Sequence, residues 1–76
     1  MTTAEKVIDL IAKQLNKQTN EISVNSEIVK DLGADSLDVV EMLMTFEEEF
    51  GIVVPEEEAT KLVTVKDIVD LIDNKQ

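Results

Sequence analysis

Three helix-start signals of the same kind are spread along this chain, and they constrain its fold more than any other feature. In a capping box, a residue at the helix N-cap and an acidic residue three positions later accept hydrogen bonds from backbone N–H groups that the helix leaves unpaired. Apolar residues then follow each of the three pairs at helical intervals. The pairs are Thr2 with Glu5, Asp35 with Asp38, and Thr64 with Asp67. The sequence thus predicts three principal helices.

An additional short helix, between the second and the last of these three, is predicted where Pro55 precedes three glutamates, since proline and acids favour the first turn of a helix. Gly51 can take the left-handed conformation that ends the helix before it. The predicted elements are a first helix from Thr3 to about Asn16, a second from Asp35 to Phe50, a third from Pro55 to near Leu62, and a last one after Thr64 that gives way to a polar tail, Asp73 to Gln76.

The segment 17–35 has a weak helical pattern and is long for a loop in a compact domain. Four apolar residues within it can anchor it to a core: Ile22, Val24, Ile28 and Leu32. We therefore expect an all-α fold: a small antiparallel helix bundle of three principal helices plus one short helix, with a long first loop. Residues 1–76 should form a single domain.

The composition excludes several kinds of chemistry. The chain has no cysteine and no histidine, so it can form no disulfide and none of the usual zinc sites. Aromatic residues are 3% of the chain and hydrophobic residues 43%, so aliphatic side chains must fill the core. Such a core is deformable.

The formal net charge is -10, from seventeen acidic residues and seven lysines. Nucleic acid and anionic membranes would be repelled, whereas basic protein surfaces would be attracted by electrostatic steering. No apolar run approaches the roughly 20 residues that span a bilayer, and the N-terminal residues do not resemble a secretory signal. We expect a cytoplasmic protein that binds basic protein partners and acts as a monomer.

The second predicted helix carries two apolar faces, although one is enough to pack into a bundle. The first, which should face the core, comprises Val39, Met42, Leu43, Phe46 and Phe50. Roughly opposite lie Leu37, Val40 and Met44, among glutamates. Single exposed apolar residues are ordinary on protein surfaces. Three on one face with an acidic rim predict a docking surface.

Ser36 lies at the start of this helix. Serine in that position is usually a structural cap. Here Asp35 can serve as the cap, which leaves the Ser36 hydroxyl free to point outward. A serine hydroxyl needs a base to become a nucleophile, and the chain has no histidine to provide one. Ser36 is therefore interpreted as an attachment point rather than a catalyst.

The run DLGADSLDVVEMLMTFEEEF, the acidic turn after Pro55 and the segment TVKDIVDLI resemble the free-standing bacterial acyl carrier proteins of type II fatty acid synthesis, over essentially the whole chain. The resemblance implies a carrier rather than an enzyme. It implies that Ser36 is esterified with 4'-phosphopantetheine, which a phosphopantetheinyl transferase takes from coenzyme A. The arm would carry growing acyl chains as thioesters to fatty acid synthesis enzymes.

The resemblance also implies two sets of site residues. Contacts with basic patches on partner enzymes would come from Asp35, Leu37, Asp38, Val40, Glu41, Met44, Glu47 and Glu48. A cavity that shelters the acyl chain between helices would be lined by Ile28, Leu43, Phe46, Val54, Ala59, Leu62 and Ile68. Ordinary core packing is the simpler interpretation of each cavity residue.

Other functions fit less well. A serine hydrolase lacks a suitable base. A calcium sensor is disfavoured because Asp31, Asp35 and Asp38 do not have the alternating spacing of an EF-hand loop. A carrier of a polyketide or other secondary acyl pathway, and an acidic interaction module that is never modified, remain alternatives.

Overall fold

The computed structural model of the protein describes residues 2–76. These residues form four α-helices: α1 (Thr3–Leu15), α2 (Ser36–Phe50), α3 (Glu56–Ala59) and α4 (Val65–Lys75). A 3-10 turn, Thr19–Glu21, lies in the long loop between α1 and α2. Within the described residues no strand forms, apart from an isolated antiparallel bridge between Glu27 and Thr64. The predicted all-α bundle of three principal helices and a short one is confirmed.

All three predicted capping boxes are present, at the starts of α1, α2 and α4. Each N-cap side chain accepts a hydrogen bond from the backbone three residues on, and each acidic partner accepts one from the N-cap backbone. The starts of the long helices therefore follow from local hydrogen bonding.

α1 and α2 are each followed by a residue in the left-handed backbone conformation. α1 ends at Leu15, one residue earlier than predicted, because Asn16 adopts φ 56° and caps it. Gly51 has φ 63° after α2, and its N–H and that of Ile52 both bond the Glu47 carbonyl. Ile52 then turns back into the core.

Two predicted boundaries were wrong. α3 ends at Ala59 rather than near Leu62, because the N–H groups of Lys61 and Leu62 bond carbonyls only three residues back and the chain tightens out of α-helical geometry. The predicted polar tail, 73–76, is helical as far as Lys75. A hydrogen bond of 2.8 Å from Thr3 Oγ1 to Asp73 Oδ1 holds that end of α4 against the start of α1.

One hydrophobic cluster lies between the helices, with α1 packed against both α2 and α4. The long first loop contributes to this cluster as predicted, through Ile22, Ile28 and Leu32. It is also tied to the segment before α4, where the Ile28 N–H bonds the Val63 carbonyl at 2.9 Å. The loop is therefore a structural part of the bundle that leads the chain to the start of α2.

No helix in residues 2–76 combines the length and the apolar character that a membrane crossing requires.

Candidate functional site

Ser36 is the first residue of α2 and is exposed. The cap is provided by Asp35, whose Oδ1 accepts the Asp38 N–H at 2.9 Å, while Asp38 Oδ2 accepts the Asp35 N–H at 3.2 Å. Among residues 2–76 the Ser36 hydroxyl has no hydrogen-bond partner. Its oxygen is therefore available on the surface, as its interpretation as an attachment point requires.

The turn before Ser36 explains why the residue faces outward. Gly33 has φ 73°, a conformation that side-chain-bearing residues rarely adopt. Ala34 then points into the core, and its N–H bonds the Ile28 carbonyl at 3.1 Å. With Ala34 anchored inside and Asp35 occupied with the cap, Ser36 is left at the rim of the bundle.

The two apolar faces of α2 are confirmed. Met42 and Phe46 are 2% and 1% exposed and lie in the core. Leu37, Val40 and Met44 are 66%, 53% and 56% exposed. The second face is therefore unused by the fold and begins at the residue after Ser36.

The acidic residues predicted to contact partners differ in their surroundings. Asp35, Glu41 and Glu48 are exposed, whereas Asp38 and Glu47 are half-buried. Glu47 Oε2 accepts the Val54 N–H at 2.8 Å, so this carboxylate also has a structural task. The role of all eight residues in partner binding stays a prediction.

A groove of about 580 Å³ opens beside Ser36, between α2 and α3. Its walls are predominantly apolar, with carboxylates at the rim. The lining residues are Val29, Ala34, Asp35, Ser36, Val39, Val40, Leu43, Glu56, Ala59, Thr60 and Leu62. The serine therefore lies at the edge of a surface that an aliphatic chain can occupy.

Three of the seven residues predicted to line an acyl cavity, Leu43, Ala59 and Leu62, line this groove. The other four lie elsewhere: Ile28, Phe46 and Ile68 are core residues, and Val54 packs against the core. Their part in a cavity stays a prediction.

Sequence reasoning did not assign Val29 to the groove, and Val29 is 62% exposed. It lies in the first loop, where no helical period indicates which way a side chain points. Only its position after the buried Ile28, in a tight turn, could have suggested that it faces outward.

Known proteins include relatives that match this chain over almost its whole length. Residues 5–72 match the family described as phosphopantetheine attachment site. The chain is 47% identical to an acyl carrier protein of Campylobacter hominis over 74 residues, which cover 97% of this chain and 94% of that protein. It is 50% identical to an acyl carrier protein of Helicobacter pylori over 76 residues, covering 99% and 97% of the two chains.

The fold has a counterpart among solved structures. A Mycobacterium tuberculosis protein assigned to the acyl carrier proteins superimposes with a TM-score of 0.91 at 27% identity, over 96% of this chain and 97% of that one. The chain therefore belongs to the acyl carrier proteins, which are not enzymes but carry acyl groups on a covalent 4'-phosphopantetheine and interact with the enzymes of fatty acid synthesis.

Proposed function

We propose that Ser36 is the residue that bears the 4'-phosphopantetheine arm. The observation that carries this proposal is the exposed Ser36 hydroxyl, without a hydrogen-bond partner in residues 2–76, at the edge of the apolar groove. The chain has two other serines, Ser23 and Ser26. Their hydroxyls lie 3.3 Å apart in the first loop and bond each other.

The surroundings of Ser36 fit a phosphate ester. The backbone N–H groups of the first turn of α2 lack intrahelical partners and carry the partial positive charge of the helix, which favours a phosphate there. The attached arm supplies a thiol that holds acyl groups as thioesters. The chain has no histidine to activate the Ser36 hydroxyl, and we propose that the transferase supplies the base.

The exposed face of α2 is the proposed docking surface for the transferase and for the enzymes of fatty acid synthesis. Leu37, Val40 and Met44 would supply apolar contact beside the attachment point. The acids around them would attract basic patches and orient the partner. We expect the chain to act as a monomer in the cytoplasm.

The groove between α2 and α3 is the proposed shelter for the first carbons of a bound acyl chain. Val39, Leu43 and Leu62 provide an apolar surface that starts at the attachment point. Burial of methylene groups there would stabilise the loaded protein, by about 0.8 kcal/mol for each one fully buried.

Intact-mass measurement tests the proposal. The chain is incubated with coenzyme A and a phosphopantetheinyl transferase, and the mass of one arm should appear. The variant Ser36→Ala should gain no mass, while Ser23→Ala and Ser26→Ala should be modified like the parent protein. Mass added to Ser36→Ala, or none added to the parent, would contradict the proposal.

A further inference from the structure

α3 is a single helical turn that cannot be stable by itself. It spans only Glu56–Ala59 and contains no fully buried side chain. Isolated helices of this length are unstable in water, because the conformational entropy lost in forming the first turn outweighs the stabilisation from its hydrogen bonds. Contacts with the rest of the protein must therefore keep α3 in place.

This turn forms one wall of the groove beside Ser36, through Glu56 and Ala59. The opposite wall is α2, whose inner face is fixed by the buried Met42 and Phe46. Movement of α3 would therefore open the groove without disturbing the core.

One ion pair joins α3 to the end of α4. Lys75 Nζ lies 3.1 Å from Glu58 Oε2, an oxygen that is itself buried. Within residues 2–76 this is the one ion pair, although the chain has seventeen acids and seven lysines. Its presence in so unbalanced a charge distribution singles it out.

The end of α4 that bears Lys75 is itself well held. Ile72 is fully buried one turn earlier. Asp73 accepts the hydrogen bond from Thr3, and Gln76 Nε2 donates one to the Phe50 carbonyl at 3.2 Å. Lys75 therefore extends from a well-anchored helix end to the short α3.

We propose that the Glu58–Lys75 pair is a clasp that sets how often α3 moves away from the groove beside Ser36. The effect of the clasp on α3 is argued from the ion pair alone and does not require that an acyl chain binds in the groove. Its consequence for acyl chains rests on the proposed function of the groove. A partly exposed pair contributes little free energy, so the clasp makes the opening of α3 a few times rarer but does not prevent it.

Hydrogen exchange in the full, unmodified chain tests the clasp. The N–H groups of Ala59 and Thr60 bond the carbonyls of Pro55 and Glu56 at 3.0 and 3.2 Å, so their exchange reports the loss of α3. Glu58→Gln and Lys75→Met should each speed this exchange by about two- to fivefold, as expected for loss of a weak ion pair.

Matched controls separate the clasp from a general effect of charge. Glu57→Gln removes a negative charge from an exposed position in α3 and is the control for Glu58→Gln. Lys66→Met removes a positive charge from an exposed position in α4 and is the control for Lys75→Met. Both should leave exchange in α3 unchanged. The exchanged pair, Glu58→Lys with Lys75→Glu, should restore slow exchange. If both single variants exchange in α3 like their controls, the clasp is wrong.

A second measurement tests the consequence for the groove. The parent and the variants are loaded with an octanoyl thioester on the arm, and cleavage of the thioester by hydroxylamine is followed. Variants without the clasp should be cleaved about two- to fivefold faster than their controls, because the chain spends less time sheltered. Faster exchange with unchanged cleavage would overturn the link between the clasp and the groove. Absence of an arm on the parent would instead contradict the proposed function and leave the exchange result to decide on the clasp.

Discussion

The Glu47 carboxylate accepts a hydrogen bond from the Val54 backbone N–H at 2.8 Å, and this bond joins the last turn of α2 to the segment that leads into α3. Val54 packs against the core, so its N–H would otherwise lie half-buried without a partner. Glu47 and its neighbour Glu48 are thus adjacent acids with different surroundings, because Glu48 is exposed.

Glu47→Ala should lower the free energy of unfolding by about 1–2 kcal/mol, since it leaves the Val54 N–H unpaired. Glu48→Ala should change it by less than about 0.5 kcal/mol. Urea unfolding of the two variants provides the comparison. Equal destabilisation would show that the bond to Val54 contributes nothing to stability.

Leu37→Ala and Phe46→Ala should affect different properties. Phe46 is 1% exposed, so its truncation should destabilise the protein by about 3–5 kcal/mol and leave it largely unfolded. Leu37 is 66% exposed, so its truncation should change stability by less than about 0.5 kcal/mol. The same change should lower the kcat/KM for arm addition by the transferase about fivefold or more, because Leu37 is proposed to contact the transferase beside Ser36. An unchanged kcat/KM would remove Leu37 from the docking surface.

Acid should weaken the start of α4. Hydrogen bonds from the backbone N–H groups of Thr64 and Val63 hold the pKa of Asp67 below its ordinary value. The charged carboxylate therefore stabilises the folded state above the unfolded pKa, about 4, and this stabilisation is lost as the pH falls through the lower folded pKa. The difference in unfolding free energy between the parent and Asp67→Asn should be largest near neutral pH and should shrink below about pH 4. A difference that stays constant from neutral to acidic pH would contradict this account.

Cations should stabilise the isolated protein by screening. The seventeen acids repel one another in a small bundle. Salt reduces the range of this repulsion to about 10 Å at 0.1 M. Within the described part of the chain no group of three or more acidic side chains is placed to hold a metal ion. If screening is the whole effect, magnesium chloride and sodium chloride at equal ionic strength should raise the melting temperature by similar amounts. A saturable gain specific to magnesium would reveal a dedicated site.

Salt should have the opposite effect on partner association. Attraction between the acidic face of α2 and a basic partner is screened as salt rises, so the association rate with the transferase should fall. Glu48→Gln should reduce this salt dependence more than Glu57→Gln, because Glu48 lies on α2 and Glu57 on α3. Salt-independent association would remove electrostatic steering from the proposal.

The helix starts could be predicted from the sequence because each depends on residues three positions apart. Asp35 and Asp38 satisfy each other's backbone N–H groups wherever the helix is placed. The helical period likewise put Leu37 and Phe46 on different faces of α2, and exposure confirms this. The family could also be identified, since the residues around Ser36 resemble a known motif.

Residues that are close along the chain were enough to predict where the long helices begin and which sides of α2 are apolar, and to propose Ser36 as the attachment point. Packing in three dimensions brings the Glu47 carboxylate to the Val54 N–H and pairs Lys75 with Glu58. The same packing places Val29, and not Phe46, in the wall of the groove. Those contacts depend on how the first loop, α3 and α4 pack together, and the order of residues along a helix carries no information about that packing.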